Sequence, residues 1–472
     1  MIKVLSSGYK FLAILMLSIG AVSATEASDK PNILFILTDD LGFNQVGAYG
    51  NTPIRTPNLD NLAANGIRFD HAYSGNTVCS PSRVSLFTGR DGRYMSNNSN
   101  TVQLEEIDVT FAHVLKHANY DTALFGKYSI GSKMGVTDPL AMGFDTWFGM
   151  YSILEGHRQY PHILWRDGQK IRIEENEAGK KGAYAPELFT NETIKYIKQE
   201  RDNPFFVVLA YTTPHADLAV PEEYSKQYSF KETPYTGMKG GVPADKYAWY
   251  YPEPVEKPNA VMAGMVSALD DYVGKIIDTL EEQGELDNTL IIFTSDNGPH
   301  DEGGADPSFF KASSPYKGQK RDLYDGGIHV PMLVQWPAKI KEGRVDETPW
   351  TFADVLPTVA ELADVDLNIV PRVRTNGVSI APLLKDSPET MPERLLYWEF
   401  SKQVGDPNSG VIGDTYQAAR KGDYKAVRYG FDAPLELYNI IKDPNESNNL
   451  VSKSRYKSKA KEFLDVFEKY KN

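Results

Sequence analysis

The stretch PNILFILTDDLG, residues 31–42, decides the fold of this chain. It contains an apolar run from Ile33 to Leu37, and the pattern predicts a strand over Ile33 to Thr38 that is buried on both faces. Two carboxylates, Asp39 and Asp40, follow the strand. Such strands are typical of parallel sheets with helices on both sides, where ligands bind at the carboxyl ends of the strands.

Predicted strands and helices alternate along most of the chain. Strands are predicted in DTALFGK, PFFVVLAYTTPH, TLIIFTSDNG and HVPMLVQWP, and helices in TPNLDNLAANGIRF, DVTFAHVLKHANY, Glu187–Gln199, Asn259–Gln283 and ADVLPTVAELA, with another helix opening just after Cys79. This alternation predicts an α/β fold with a large, mostly parallel central sheet flanked by helices. Polar residues end several of these strands, which indicates a single site at one edge of the sheet.

Residues 386–472 have a different pattern. RLLYWEF, YQAARKGDYKAVRYG and APLELYNI predict short strands separated by turns, and KSKAKEFLDVFEKY predicts a closing helix. We therefore expect a smaller C-terminal antiparallel subdomain after a main domain of residues 30–385. The stretch Lys231–Pro258, rich in proline, glycine and tyrosine, predicts a long ordered loop.

Composition and the N-terminus limit the class of protein. The net charge of −13 over 472 residues gives no sign of a basic nucleic-acid-binding face, so an anionic substrate must meet a local cluster of cations. Lys3 and Lys10 precede the short apolar run FLAILMLSIGAV, which predicts a signal peptide over residues 1–24 and a periplasmic or secreted protein. An uncleaved N-terminal anchor is the alternative.

Cys79 is the only cysteine of the chain, so no internal disulfide is possible. A free thiol in an oxidising compartment is a liability unless it is buried or chemically altered. Cys79 therefore needs an explanation of its own.

Four oxygen-bearing side chains are candidates for a metal site. Asp39 and Asp40 end one predicted strand, and Asp296 and Asn297 end another. Adjacent carboxylates repel each other unless a cation lies between them, and an all-oxygen set suits Ca²⁺ or Mg²⁺ better than zinc. The alternative is that both pairs are solvated turns or helix caps.

Cations and one histidine accompany the acids. Arg83 lies four residues after Cys79 and shares its helix face, Lys127 ends a strand, and Lys317, Lys320 and Arg321 share a glycine-containing loop. Together they could bind a tetrahedral anion, although ordinary surface cations remain an alternative. His215 ends a strand, where it could give a proton to a leaving group.

The motif CSPSRVSLFTGR resembles the sulfatase signature, Cys-x-Pro-Ser-Arg followed by Thr-Gly-Arg. The blocks PNILFILTDDLG, GFDTWFG, PFFVVLAYTTPHADLAVP, SDNGPH, KGQKRDLYDGGIHVP and LELYNIIKDPNESNNL resemble other blocks of the same family, in the same order. The chain thus resembles the type I sulfatases of the alkaline-phosphatase-like superfamily, in their bacterial glycan sulfatase branch, over nearly all of its mature length. Residues 30–385 would then be the catalytic sulfatase domain.

The resemblance implies a role for Cys79. In this family a maturation enzyme oxidises the signature cysteine to formylglycine, whose hydrated aldehyde attacks sulfur. By the resemblance Asp39, Asp40, Asp296 and Asn297 bind calcium, with magnesium the less favoured ion, and modified Cys79 adds a further contact. The other catalytic residues that the resemblance implies are Arg83, which supports formylglycine, Lys127 and Lys320, which bind sulfate, and His215, which lies near the leaving oxygen.

Two positions depart from the family pattern. Many members carry a histidine where this chain has Ser129, which leaves open the base that resolves the sulfated intermediate. The family's EGGIR block reads DGGIH here, with Asp325 and His329, which we expect to serve packing.

The resemblance to glycan sulfatases implies a sulfated carbohydrate substrate, with galactose- or N-acetylgalactosamine-type units, as in carrageenans, as the narrower expectation. The candidate substrate contacts are Ser152, His157, Arg158, His300, Glu302 and Lys317. Two alternatives stay open: a phosphodiesterase or phosphonate hydrolase of the same superfamily, and a catalytically impaired protein that binds sulfated glycans.

Overall fold

The computed structural model describes residues 30–50, 52–95, 98–153, 155–237, 253–385, 388–403 and 412–471. The predicted signal peptide and most of the predicted loop Lys231–Pro258 lie outside these residues. The strands are β1 Asn32–Asp39, β2 Ile67–Phe69, β3 Ala72–Tyr73, β4 Asp121–Lys127, β5 Thr146–Met150, β6 Ile163–Arg166, β7 Gln169–Arg172, β8 Phe205–Pro214, β9 Thr289–Ser295, β10 Met332–Gln335, β11 Arg344–Asp346, β12 Trp350–Thr351, β13 Leu395–Gln403, β14 Ile412–Lys421, β15 Tyr424–Tyr429 and β16 Glu436–Asn439.

The α-helices are α1 Pro57–Ala64, α2 Cys79–Thr88, α3 Phe111–Lys116, α4 Ala185–Ile197, α5 Glu222–Ser225, α6 Pro258–Glu282, α7 Asp325–Ile328, α8 Val355–Leu362 and α9 Lys457–Lys469. Helix α2 begins at Cys79 itself, and α3 is shorter than the amphipathic pattern predicts. None of the helices in the described residues combines the length and the apolar character that crossing a bilayer requires.

Ten strands form one large sheet in the order β11-β2-β10-β9-β1-β8-β4-β5-β6-β7. The five central strands from β9 to β5 run parallel, whereas β10 pairs antiparallel with both β9 and β2, and β6 pairs antiparallel with β5 and β7. The predicted α/β class with a mostly parallel centre and a small antiparallel sheet is confirmed.

Strand β1 lies in the middle of the sheet and is buried along its whole length. Ile33, Phe35 and Leu37 face one apolar core, and Leu34 and Ile36 face the other. Successive side chains of a strand point to opposite faces, so an unbroken apolar run requires cover on both sides. Helices α1, α4 and α6 pack on one face, and α2, α3 and α8 on the other.

The order β9-β1-β8-β4 brings four parallel carboxyl ends to one edge of the sheet. Asp39 ends β1, Lys127 ends β4, His215 follows β8, and Asp296 and Asn297 follow β9. The topology therefore gathers side chains that lie far apart in the sequence.

The C-terminal strands β13 to β16 form a separate antiparallel sheet, and α9 packs against it. The indole Nε1 of Trp398 donates to the Ser74 carbonyl at 2.9 Å, which joins this sheet to the segment before α2. The boundary at residue 386 stays a prediction.

Candidate active site

Cys79 is buried at the first position of α2, above the carboxyl end of β1. Its Sγ lies 3.3 Å from Asp39 Oδ1 and 3.9 Å from Asp40 Oδ1. Burial, together with the nearby carboxylates of Asp296 and Asp39, raises the pKa of the thiol well above its ordinary value. The unmodified thiol is therefore held protonated and is a poor nucleophile.

Three carboxylates surround this thiol. Ligand atoms of Asp39, Asp40, Cys79 and Asp296 all lie within 4.8 Å of one another, and all four residues are buried. Asn297 donates from Nδ2 to Asp40 Oδ1 at 2.7 Å, which leaves its Oδ1 buried without a hydrogen-bond partner among the described residues. Buried polar atoms rarely lack a partner, so this oxygen indicates a ligand that accepts a lone pair.

Three cations are paired with the three carboxylates. Lys127 Nζ donates to Asp39 Oδ2 at 2.6 Å, and Lys320 Nζ donates to Asp40 Oδ2 at 2.7 Å. Arg83 donates from Nε to Asp296 Oδ2 at 2.9 Å and from Nη1 to the Lys127 carbonyl at 2.6 Å. Arg83 thereby holds α2 against both β4 and the end of β9.

The carboxylates differ in how well their charge is compensated. Burial raises the pKa of Asp39 to about 7, because Lys127 and Arg83 offset only part of the burial and of the charges of Asp296 and Asp40. Burial acts on Asp40 too, but Lys320 and His300 hold its pKa below the ordinary value. The three cations equal the three carboxylates in number, but the raised pKa of Asp39 indicates that its own charge is incompletely compensated, and the hard oxygen donors of the cluster fit a divalent cation such as calcium.

His215 lies close to two carboxylates, those of Asp40 and Glu302. Its Nδ1 donates to the Ala216 carbonyl, and its Nε2 lies 3.4 Å from Asp40 Oδ2 and 3.5 Å from Glu302 Oε2. Burial and the charge of Lys320 lower the pKa of His215 well below its ordinary value. The neutral ring therefore carries its one proton on Nδ1, and Nε2 is an unprotonated nitrogen that faces the two carboxylates.

The predicted substrate contacts His157, His300 and Glu302 lie beside His215. The His157 ring centre is 4.4 Å from that of His215, and the His300 ring stacks on His215 with 5.3 Å between ring centres. Glu302 forms ion pairs with Lys320 at 3.9 Å and with Arg321. The structure thus brings these three residues together with the catalytic candidates.

Other predicted contacts lie farther out. Arg158 forms an ion pair with Asp217 at 2.9 Å, and the Ser152 hydroxyl accepts a hydrogen bond from the Glu155 amide at 3.2 Å. Lys317 does not join the cluster in its described contacts: its Nζ lies 3.6 Å from the centre of the Tyr324 ring and 3.5 Å from the Glu446 carbonyl. It contacts the C-terminal region instead.

Sequence reasoning did not single out the turn Glu155–His157 as a neighbour of Ser129. A Cβ on Gly156 would lie 2.8 Å from Lys127 Cε and 2.9 Å from Ser129 Oγ, so this glycine packs directly on both residues. The turn brings His157 to the site from a segment separate from the residues after β4 that include Ser129. Sequence spacing gives no signal for this contact, because more than twenty residues separate the two segments.

The sulfatase family model matches residues 31–365, and a second model, for the C-terminal part of N-sulphoglucosamine sulphohydrolase, matches residues 318–472. The chain is 25% identical to an N-acetylglucosamine-6-O-sulfatase of Bacteroides thetaiotaomicron, covering 97% of this chain and 89% of that protein. It is 29% identical to the N-acetylgalactosamine-6-sulfatase of Homo sapiens, covering 86% and 73% respectively.

Two solved structures illustrate the likeness in fold. One, Ps i-CgsB in complex with k-i-k-neocarrahexaose, superposes with a TM-score of 0.74 at 25% identity over 93% of this chain and 92% of that one. The other, a phosphonate monoester hydrolase of Agrobacterium radiobacter, gives 0.67 at 21% identity over 93% and 95%, which shows the fold alone. The family match spans well over half of the residues, and this chain therefore belongs to the sulfatase family and is an enzyme of that family.

Proposed function

We propose that this sulfatase removes sulfate from a sulfated carbohydrate, that Cys79 is converted to formylglycine, and that Asp39, Asp40, Asp296 and Asn297 hold a calcium ion. The observation that carries the proposal is the position of Cys79 Sγ, 3.3 Å from Asp39 in a buried cluster that also contains Lys127 and Lys320. In this reading Sγ stands in for a hydroxyl oxygen of the hydrated aldehyde, which is the nucleophile of the modified enzyme.

The charges of the cluster suit a sulfate ester. Three carboxylates face one arginine and two lysines, so an added divalent cation would give the site a surplus of positive charge. When bound, calcium draws electron density from the sulfate oxygens. Positive charge fixed in a buried site stabilises the charge that develops on those oxygens in the transition state.

The proposed roles follow from the contacts of each side chain. Lys127 and Lys320 bind sulfate oxygens from two sides, because they extend from β4 and from the loop before α7. Arg83 fixes the position of residue 79 through Asp296 and the Lys127 backbone. We propose His215 as the proton donor to the leaving alkoxide: Nδ1 is held by the Ala216 carbonyl, so Nε2 first takes up a proton, which the charge of Glu302 at 3.5 Å favours, and then passes it on.

The relatives support a carbohydrate substrate. One similar protein is an N-acetylglucosamine-6-O-sulfatase and another an N-acetylgalactosamine-6-sulfatase, and the structure at TM-score 0.74 is a complex with k-i-k-neocarrahexaose. His300 and Glu302, which lie beside His215, and Arg158, which lies farther out, are the proposed contacts to the sugar, with the narrower expectation of a galactose- or N-acetylgalactosamine-type unit. Export to the periplasm or the medium is part of the proposal, since polymeric glycans are met there.

The test compares two preparations of the same chain, one made with a formylglycine-generating enzyme and one without it. Peptide mass spectrometry measures the conversion of Cys79, and sulfate release is followed on a panel of sulfated mono- and oligosaccharides with a phosphodiester and a phosphonate ester as counter-substrates. We expect release only from the converted preparation, and none from Cys79→Ala.

Each other outcome has a defined meaning. Cleavage of the phosphorus esters alone would establish the phosphonate hydrolase alternative. Converted protein that binds sulfated sugars without cleaving them would establish the impaired glycan-binding alternative. Equal activity of both preparations would show that formylglycine is not the nucleophile.

A further inference from the structure

A cavity lies at the end of α2 that is farther from Cys79. It has a volume of about 290 Å³ and includes Thr88, the last residue of the helix. A helix of this length spans roughly 15 Å, so the cavity is separate from the catalytic cluster. The lining residues are Thr88, Arg90, Arg93, Tyr94, Met95, Glu105, Ile107, Asp108, Val109, Arg372 and Arg374.

Four arginines and two acids line this cavity, in a chain whose net charge is −13. Arg90 forms an ion pair with Asp108 at 2.7 Å, and Arg93 forms one with Asp91 at 2.6 Å. Two of the four arginines are thus compensated. Counting Asp91, four arginines stand against three acids, so the surplus of positive charge lies with the other two arginines and favours an anion.

Arg372 and Arg374 also line the cavity, and both residues are exposed. Within the described part of the chain, neither guanidinium forms an ion pair with a carboxylate. A guanidinium presents a planar fork of donors that matches the oxygens of sulfate and carboxylate groups. These two side chains are therefore available for an added anion.

Apolar side chains at the rim indicate that the ligand is more than an inorganic ion. Tyr94 is 54% exposed and Ile107 is 49% exposed, and both line the cavity. An exposed aromatic face packs well against the C–H face of a sugar ring. Ligand pockets commonly combine such surfaces with a few placed polar groups, and the volume is at the lower end of their range.

We propose that this cavity binds an anionic sugar unit of a polysaccharide, through its sulfate or carboxylate groups, as a second attachment point away from the catalytic cluster. Arg372 and Arg374 bind the anionic group, Arg90 and Arg93 line the cavity in positions fixed by their ion pairs, and Tyr94 packs on the sugar ring. The site would hold the polymer while the catalytic cluster acts on another unit. The binding itself does not depend on the proposed catalytic function.

The test uses the full chain and three fluorescent polymers with the same backbone: dextran sulfate, carboxymethyl dextran and unmodified dextran. Affinity is measured by fluorescence anisotropy for wild type, Arg372→Gln/Arg374→Gln and Tyr94→Ala. Lys339→Gln/Lys341→Gln is the matched control, because these two exposed cations have the same spacing and the same charge change. The sulfated and carboxylated polymers distinguish the two anionic groups.

We expect wild type to bind at least one anionic polymer and not dextran, the double arginine variant to bind about tenfold more weakly, and the lysine control to bind like wild type. Tyr94→Ala should weaken polymer binding but not competition by inorganic sulfate. Unchanged affinity of the arginine variant, an equal loss in the lysine control, or no binding by wild type would each overturn the proposal. Sulfate release from a monosaccharide is measured in parallel and should be unchanged in the arginine variant. If no variant released sulfate, the proposed function would be contradicted, but the binding result would still stand.

Discussion

Each lysine of the catalytic cluster contacts a proposed calcium ligand. Substituting the lysine in one variant and the carboxylate in another distinguishes the contributions of the two charges. Lys127 Nζ is 2.6 Å from Asp39 Oδ2, so the lysine and a bound calcium ion would share this carboxylate. We expect Lys127→Met to lower kcat/KM by about 100- to 1000-fold, since one fixed positive charge on the sulfate oxygens is lost. Calcium should still raise the unfolding temperature of this variant.

Asp39→Asn is the matched comparison. It removes the carboxylate and keeps the lysine, so both activity and the calcium-dependent rise in unfolding temperature should fall. Thermal unfolding with and without calcium, alongside sulfate release, checks both variants. Loss of the calcium effect in Lys127→Met would contradict the separate roles of the two side chains.

His157 offers an answer to the question that Ser129 raises. The ring lies 4.4 Å from His215, and the turn that carries it packs on Ser129. We expect His157→Gln to lower kcat about 10- to 100-fold with little change in KM, as for a group that moves protons rather than one that binds sugar. A raised KM with unchanged kcat would make His157 a substrate contact instead.

His71 gives the chain an acid-sensitive position outside the active site. Burial, with Arg420 and the nearby His329, lowers the pKa of His71 to about 3, whereas an unfolded histidine titrates near 6.5. The unfolded state therefore binds more protons between these values, so the stability that His71 contributes is present above about pH 6.5 and is lost as the pH falls toward 3. The two pKa values differ by about 3.5, and each pKa unit corresponds to about 1.4 kcal/mol, so the loss of unfolding free energy over this window should be smaller in His71→Gln than in wild type by up to about 4–5 kcal/mol. Parallel pH curves for the two proteins would count against this assignment.

At the scale of secondary-structure elements, the strands that carry the site were the most predictable part of the molecule. Strands β1, β4, β8 and β9 are long apolar runs whose ends coincide with polar residues, and the predicted ends agree with the observed ones to within a residue or two. The order of these strands in the sheet, and the reversed direction of β10, depend on tertiary pairing and have no signal in a single strand. The short strands β6 and β7 were not predicted, although the pair Asp167-Gly168 between them is a hairpin-turn signal in the sequence.

Gly126 allows the backbone of β4 to lie close to that of β8. The residue has φ of 109°, and a Cβ there would lie 1.9 Å from the Ala210 carbonyl oxygen on β8. We expect Gly126→Ala to cost at least about 3 kcal/mol of unfolding free energy or to prevent folding, since backbone must move. Gly168→Ala is the control: φ is also positive, at 83°, but no atom lies within 4 Å, so only about 1 kcal/mol should be lost. Denaturant unfolding measures both, and equal costs would show that the backbone contact is unimportant.

At the scale of the whole molecule, the C-terminal sheet is joined to the catalytic region by buried charges. Lys425 on β15 contacts Asp325 Oδ1 at 2.6 Å and Glu446 Oε1 at 3.0 Å, and all three residues are buried. Asp325 begins α7, in the DGGIH block where this chain departs from the family pattern. The sequence predicted a C-terminal sheet, but a lysine in an alternating strand looks like a surface residue, so nothing in the pattern predicted this contact.

Burial of the charges makes this junction vulnerable to loss of its one cation. Lys425→Met removes the cation that both Asp325 and Glu446 contact, and we expect a loss of about 3–5 kcal/mol in the free energy of unfolding. Burial already raises the pKa of Glu446 to about 7, so adding Glu446→Gln removes the less stable of the two charges and should recover part of the loss. Lys421→Met is the control on the same sheet: this lysine pairs with Glu462 in partial contact with solvent and should cost less than about 1 kcal/mol. Urea unfolding compares wild type, Lys425→Met, the double variant Lys425→Met/Glu446→Gln and Lys421→Met. The proposed role of the buried charges would be contradicted if Lys425→Met were as stable as Lys421→Met, or if the double variant were less stable than Lys425→Met alone.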